Sequence, residues 1–510
     1  MREPTRRQAL LLGGAVAGGA VLAGCASAGP AGQASGAASA AGATDTGAPG
    51  AATAGTGSVA RYHSRPDLHP ARAVTGKNTG KAEPGVLLMD SHSGVGQQGP
   101  MILDDAGELV WFKPLSAHAT ARLRAFNLRV QHYQGKPVLT WWQGSVVHAH
   151  GRGHYVLADA SYKEIRRVYA HRGYSGDLHD FALTDAGTAL FTCYGTARAN
   201  LKSLGGSADN RYYYGEVQEV DLATGLLVFS WRSDQHVPFS YSYAPMVTSA
   251  TSGWDQFHLN SVNVAPDGNL IVSSRNTWTV YKVHRKTGKV LWRMGGKHSD
   301  FKMGRHTRFA WQHHVTPYAG GIFTIFDNEA GDYRVGKHSR GLVLHVDEAK
   351  KEVTFVRQYN PPVHILSSAL GSVQLLAGGH ALVGWGERPY VTEYAADGSV
   401  VFDAHLEGHG TYDYRAFKSA WTGKPGGRPD LAVSRSGDTV TAYVSWNGDT
   451  QVAHWKLLTG PSADRLSAVE TATRHGFETR LHARSRAAYA AAAGYDSAGR
   501  ELGRSRPHKL

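Results

Sequence analysis

One order of polar and apolar positions recurs along the chain. A polar residue opens an apolar run, a Gly-bearing turn follows, and a second apolar run ends on another polar residue. His179 to Tyr194 is one copy, His258 to Asn276 a second, and Gln312 to Asn328 a third. Short runs rich in β-branched and aromatic residues, split by Gly, Asp, Asn and Pro, read as strands. Each copy therefore predicts a β-hairpin. The first residue of one hairpin strand and the last of the next share an end, so His258 is expected beside Arg275 and His313 beside Asp327.

A second phrase lies between these hairpins. It reads Asp104-Asp-Ala-Gly-Glu-Leu-Val-Trp-Phe112, then Asp221-Leu-Ala-Thr-Gly-Leu-Leu-Val-Phe-Ser-Trp231, and returns from Arg285, Asp347 and Ala396. This is the turn and outer strand of an antiparallel meander, with Gly supplying positive φ. One inner and one outer hairpin make a four-stranded unit, and six units are expected near 85–113, 126–170, 178–232, 255–297, 310–359 and 368–406. Repeats of that length predict an all-β fold, a six-bladed β-propeller over 59–415, with a sandwich or solenoid as the other arrangement of such strands. The first unit is irregular, which predicts that the ring closes on a borrowed strand. From 416 to 505, short strands and an early Trp predict an immunoglobulin- or fibronectin-III-like β-sandwich, followed by a tail over 506–510.

Composition adds a core and a compartment. Of the 510 residues, 42% are apolar and 10% aromatic, enough for a large interior. The formal charge is +13, but no Lys/Arg run or nucleic-acid motif accompanies it, so nucleic acid is not an expected partner. Arg6-Arg7 before the apolar stretch from Ala9 to Ala23 predicts a twin-arginine signal over 1–24. Leu22-Ala23-Gly24-Cys25 reads as a lipobox, with Cys25 as the lipidation site. That would leave an exported protein held by lipid alone on the outer face of the bacterial cytoplasmic membrane or elsewhere in the cell envelope. Residues 25–58, mostly Ala, Gly, Ser and Thr, predict a flexible tether. Cys193 is then the one remaining thiol; it sits in an apolar run and reads as buried and inert.

If the hairpins stack radially, their polar ends converge on one rim. His179, His258 and His313 each open an inner strand, Asn260 shares a strand face with His258, and Arg275 and Asn276 end its partner strand. Three imidazoles allow a metal site with Asp177, Asp180 or Asp327, but they come from separate units and His148-Ala-His150 lies in a Gly-rich turn outside the register. An anion site fits the set better, so no metal and no cofactor is expected. Arg275 presents a fixed fork to an oxyanion, and a neutral imidazole beside it is a usable nucleophile.

Several phrases together resemble the bacterial aryl sulfotransferase family, in the branch typical of secreted actinobacterial-type proteins. They are Val138-Leu-Thr-Trp-Trp-Gln-Gly144, Asp177-Leu-His-Asp-Phe181, Phe257-His-Leu-Asn-Ser-Val-Asn263, Ser274-Arg-Asn-Thr277, Trp292-Arg-Met-Gly-Gly296, Trp311-Gln-His313 and Phe326-Asp-Asn328. The resemblance implies transfer of a sulfuryl group from an aryl sulfate ester to a phenol, without a nucleotide donor, through a sulfohistidine. It implies His313 as nucleophile, His258, Asn260 and Arg275 around the sulfuryl oxygens, and His179 as another channel histidine, here expected to take or give the phenol proton. His314 directly follows His313 and competes with it for the nucleophile position or joins it in binding substrate, as does Asn276; strand alternation lets only one of the two histidines face the channel. The readings of other classes are an envelope propeller that only binds an anionic ligand or glycan, and a metal-dependent hydrolase.

Overall fold

The computed structural model describes residues 59–115, 117–118, 121–249 and 251–510. The expected signal segment, Cys25 and the whole tether lie outside them. Among the described residues the regular structure is β-strand, paired antiparallel except where the short strands Trp254–Asp255 and Lys302–Met303 add in parallel, interrupted by single-turn 3₁₀ segments.

The recurrent hairpins form where the apolar runs lie. Sheet I holds Val86–Ser91, Gly99–Leu103 and Leu109–Phe112; sheet II runs from Arg124–Tyr133 to Glu164–Val168 and sheet III from Gly176–Leu183 to Leu227–Arg232, the two joined into one continuous sheet by the pairing of Gly153 with Gly176. Sheet IV spans Leu259–Val264 to Val290–Gly295, sheet V His313–Pro317 to Glu352–Tyr359, and sheet VI Ser372–Leu375 to Val400–Leu406. Their turns are set by glycine. Gly187 and Gly268 have φ of 77° and 82° and donate their N–H back to Thr184 and Ala265, a left-handed corner that a side chain disfavours.

Each sheet buries both faces against its neighbours. Leu88 and Trp111 of sheet I pack with Leu139 and Trp141 of sheet II, Trp142 of II with Phe191 of III, and Leu190 of III with Val272 of IV. Ile271 of IV then meets Ile325 of V, Val343 of V meets Val383 of VI, and Leu382 and Phe402 of VI return to Leu87 and Phe112 of I. The six cores thus follow one another in a closed cycle.

Closure uses both ends of the sequence. Phe417–Ser419 supplies the inner strand of sheet I by pairing with Val86–Ser91, so the expected boundary at 415 falls two residues short of a strand belonging to the ring. Ala73–Asn78 adds an outer strand to sheet VI. Beyond them, Asp430–Ser436, Thr439–Ser445 and Glu478–Arg484 form one sheet, and Arg465–Thr473, His454–Ser462, Tyr489–Tyr495 and Glu501–Arg504 another. The two share a core of Val440, Val444, Trp455, Leu457 and Leu481. The expected tail is not loose: His508–Lys509 pairs with the strand Tyr489–Tyr495.

One tryptophan fixes the approach of sheets II and III. The indole of Trp142 is fully buried and its N–H donates to the Gly176 carbonyl at 2.8 Å. A Cβ on Gly144, Gly151 or Gly153 would lie within 2.8 Å of that ring. The Gly-rich stretch after Trp142 is therefore strand that makes room for the indole, and the strand His150–Ala158 begins inside it. Truncating so large a buried ring costs about 3–5 kcal/mol.

Candidate active site

The segment from Trp311 to His314 departs from a regular strand. Trp311 and His314 have φ of 57° and 47°, and the pairing with Ile322–Asp327 shifts register between His313 and Thr316. Such left-handed non-glycine residues are strained and persist where surrounding contacts over-determine them. The result is that His313 and His314 are both buried but point to different environments.

The Nδ1 of His313 lies 2.7 Å from Asn328 Oδ1 and 3.1 Å from the Trp311 carbonyl. Asn328 spends its Nδ2 hydrogens on the carbonyls of Ser367 and Leu370, so the oxygen must face the imidazole. Nδ1 therefore carries the proton, and Nε2, buried without a partner, keeps its lone pair. Burial and the Arg275 guanidinium hold this imidazole well below its usual pKa, which keeps it neutral. His314 instead packs its ring edge-on against Phe417 at 5.4 Å and accepts the Val373 N–H at Nδ1. The structure does not bring it to the other histidines, and the expectation that it binds substrate is corrected: its nitrogen serves the seam between sheets V and VI.

His258 and His179 meet edge to face, with ring centroids 4.9 Å apart. Each sits on a carboxylate close before it in sequence. His179 Nδ1 is 2.6 Å from Asp177 Oδ2, and His258 Nδ1 is 2.5 Å from Asp255 Oδ2. Carboxylates only accept, so both rings carry the proton on Nδ1. Burial pushes His258 down to about 4 against the pull of Asp255. Burial also penalises the Asp255 carboxylate, but His258 and His150 outweigh it and hold that carboxyl well below the usual range. His258 is neutral at neutral pH, and its buried Nε2 has no partner.

Arg275 follows the hairpin register. Its backbone N–H donates to the His258 carbonyl at 2.9 Å, as the pattern predicts. The side chain is buried; it reaches Asn276 Oδ1 and the Ser368 carbonyl, and its Cζ lies 4.7 Å from the Trp311 ring centre. Nε has no partner, and no carboxylate pairs with Arg275 among the described residues. A buried cation in that state is a site for an anion.

Two amides serve the frame. Asn260 donates Nδ2 to the Gln312 carbonyl at 2.7 Å, and Asn276 uses Oδ1 on Arg275 and Nδ2 on the Asp255 carbonyl. Each amide spends one Nδ2 hydrogen on backbone and keeps the other, so both residues brace the frame without exhausting their donors. Asp327 turns away from His313 toward the Ala310 N–H and Arg340, because the bulge brings Asn328 into its place. Asp180 joins Arg415 at 3.1 Å and Arg129 at 3.3 Å, a buried triad of one carboxylate and two cations rather than a metal ligand set. Cys193 is buried, and burial pushes its thiol up.

Sequence reasoning passed over His150. A two-residue turn at His148 and Ala149, both with positive φ, carries it over the rim, and its Nε2 lies 2.9 Å from the same Asp255 oxygen. His150, Asp255 and His258 form a cluster that could hold a metal ion. A recurrent Asp shortly before a rim His, as in Asp177-Leu-His179 and Asp255-Gln-Phe-His258, was the available signal for the carboxylates.

A sequence model of the family described as Arylsulfotransferase (ASST) matches residues 129–407. No curated protein matches the chain. Among solved structures, a Bacteroides caccae protein of unknown function aligns with a TM-score of 0.40 at 13% identity, covering 66% of this chain and 99% of that one. Virginiamycin B lyase from Staphylococcus aureus aligns at 0.32 and 8% identity, covering 73% and 95%. The periplasmic gluconolactonase PpgL of Pseudomonas aeruginosa aligns at 0.34 and 15% identity, covering 78% and 99%. These likenesses are too remote to bear on the site. The family match spans more than half of the sequence and includes His179, His258, Arg275 and His313, and the chain belongs to the arylsulfotransferase (ASST) family.

Proposed function

We propose that this protein is an aryl sulfotransferase that moves a sulfuryl group from an aryl sulfate ester to a phenol by way of sulfated His313. In this reading the closed cycle of sheets is a six-bladed β-propeller over roughly 59–419, the C-terminal pair of sheets is an immunoglobulin- or fibronectin-III-like sandwich, and the protein belongs to the secreted actinobacterial-type branch, anchored by lipid at Cys25. The observation that carries the chemistry is the buried Arg275, free of any carboxylate partner among the described residues, beside a histidine whose Nε2 lone pair is held open by Asn328.

His313 Nε2 attacks the sulfur of the donor ester. An N–S bond forms, the S–O bond to the ring breaks, and its electron pair leaves with the phenolate, which takes a proton on release to water. The fork of Arg275, with its unpartnered Nε, balances charge on the sulfuryl oxygens as they flatten, the preorganised kind of stabilisation that does not have to be assembled during reaction. A second phenol then gives its proton to the paired imidazoles of His258 and His179 while its oxygen attacks sulfur. The N–S bond breaks, its electrons return to His313, and the proton passes to solvent. A neutral Nε2 on His258 can accept but not donate, which makes that ring a base rather than a clamp on sulfuryl oxygen.

The test is release of 4-nitrophenol from 4-nitrophenyl sulfate with and without a phenol acceptor, in EDTA, with intact mass of the quenched protein. Release that depends on acceptor, survives chelation and leaves a sulfuryl adduct absent from His313→Ala supports the reading. Hydrolysis lost with EDTA, or an adduct that persists in His313→Ala, overturns it.

A further inference from the structure

We propose that His150 is a positioning residue for His258, acting through Asp255, so that the hydrogen-bonded chain His150–Asp255–His258 aims the Nε2 lone pair of His258 at the reacting oxygen. This rests on reading the cluster as a sulfuryl-transfer centre with His258 as a base.

Asp255 Oδ2 is shared. It lies 2.5 Å from His258 Nδ1 and 2.9 Å from His150 Nε2, while Oδ1 takes the backbone N–H of His258 at 3.0 Å. Because the oxygen only accepts, both nitrogens facing it carry protons. That leaves one free nitrogen on each ring, Nε2 on His258 and Nδ1 on His150, and both are buried without a partner. The carboxylate cannot swing to another donor without leaving one of the two imidazole N–H groups buried and unsatisfied.

The hairpin that delivers His150 is built for the task. Its two-residue turn uses positive φ at His148 and Ala149, the primed geometry that matches strand twist, although neither residue is glycine. The His150 ring is then held by Tyr194 at 3.9 Å and Tyr213 at 4.5 Å between centroids, and Tyr194 is itself anchored to the Leu259 carbonyl. The donor–acceptor separations argue for protons rather than a metal. Ligands about 2.0–2.2 Å from a tetrahedral ion stand more than 3 Å apart, whereas here the closest pair is at 2.5 Å.

The groups that face His258 are Asp255, His150, His179 with its Asp177, Arg275, His313 and the Tyr194 ring. Removing the His150 donor leaves the Asp255 oxygen to His258 alone. The carboxylate then stabilises the His258 imidazolium more strongly and the ring protonates at higher pH.

The experiment follows the His258 ring by ¹⁵N NMR of histidine-labelled protein, its signals assigned by loss in His258→Gln, together with the pH profile of kcat/KM for 4-nitrophenyl sulfate with a phenol. In the unaltered protein His258 shows the Nδ1–H tautomer. His150→Phe moves its titration and the acid limb of the profile upward by about one pH unit, and His150→Gln, which keeps an N–H near the Nε2 position, restores both. An unmoved His258 titration in His150→Phe, or a Gln variant that behaves like Phe, overturns the proposal. So does one-to-one zinc binding that disappears in His150→Phe, since the three groups would then be ligands. If the NMR shift occurs but no sulfuryl transfer is found in any variant, the positioning chain stands and the assigned chemistry fails.

Discussion

Asn328 Oδ1 accepts the Nδ1–H of His313 at 2.7 Å while its own Nδ2 is tied to two backbone carbonyls. A side chain that cannot rotate thereby dictates which nitrogen of the neighbouring imidazole is free. Tautomer control of this kind separates a nucleophile from a buried spectator, and it makes the amide as testable as the histidine.

Replacing Asn328 by Ala removes the shorter of the two Nδ1 acceptors, leaves only the Trp311 carbonyl at 3.1 Å, and loosens the hold on the His313 tautomer. Transfer to a phenol is expected to fall about 100-fold or more in kcat, since a wrong tautomer is a severe defect where geometry is otherwise kept. Steady-state kinetics beside a thermal melt separate this from misfolding: kcat drops far more than melting temperature explains.

Arg275→Met is expected to lower kcat/KM by about 10²–10³-fold, the usual cost of one preorganised donor to a developing anion. Its melting temperature is expected to fall by no more than the loss of the hydrogen bonds to Asn276 Oδ1 and the Ser368 carbonyl explains. The buried guanidinium has no carboxylate partner among the described residues, so its removal strands no opposite charge. A marked loss of stability would mean that Arg275 is structural.

His314→Asn keeps an acceptor near the position of Nδ1 for the Val373 N–H. The sulfuryl adduct seen by intact mass is expected to persist in this variant and to vanish in His313→Gln. The opposite result would move the nucleophile by one residue.

Acid should destabilise the fold in a defined window. The folded pKa of His258 is depressed to about 4 by burial, below about 6.5 for a free imidazole. Between those values the unfolded chain binds the extra proton, so stability is present above the window and declines as pH falls through it. The contribution of this one ring is about 3 kcal/mol. His92, driven down to about 3 by burial and Arg124, acts in the same sense. Melting temperature measured from pH 7 to pH 4 should fall steadily, with a shallower slope in His258→Gln.

Arg415→Met leaves Asp180 buried with Arg129 as its remaining cation. Loss of one member of such a group costs about 3–5 kcal/mol. Chemical denaturation should show that loss whether or not turnover survives.

The hairpins were legible because glycine corners punctuate them at regular intervals, and the convergence of His179, His258, Arg275 and His313 follows from shared register alone. What escaped were departures from register and contacts between distant segments. The bulge after His313 advances the partner position by one, so Asn328 stands where Asp327 was expected. Asn260 and Asn276 share strand ends with His258 and Arg275, but only three-dimensional contacts reveal that each also ties a backbone carbonyl through one Nδ2 hydrogen. His150 meets Asp255 across 105 residues, and its Gly-rich neighbourhood reads as a turn until the Trp142 indole is seen lying against those glycines. The strand Phe417–Ser419 is three residues long, too short for any periodicity to mark it as part of the ring.

That short strand also sets the order in which the molecule can mature. Arg415 stands two residues ahead of it, so a single stretch near position 416 both completes sheet I and delivers a second cation to Asp180. A chain that ended before this point would hold its histidines in sequence but lack both the inner edge of sheet I and one of the two cations on Asp180. The ring is therefore complete only when Phe417–Ser419 has joined Val86–Ser91, segments that the sequence holds far apart.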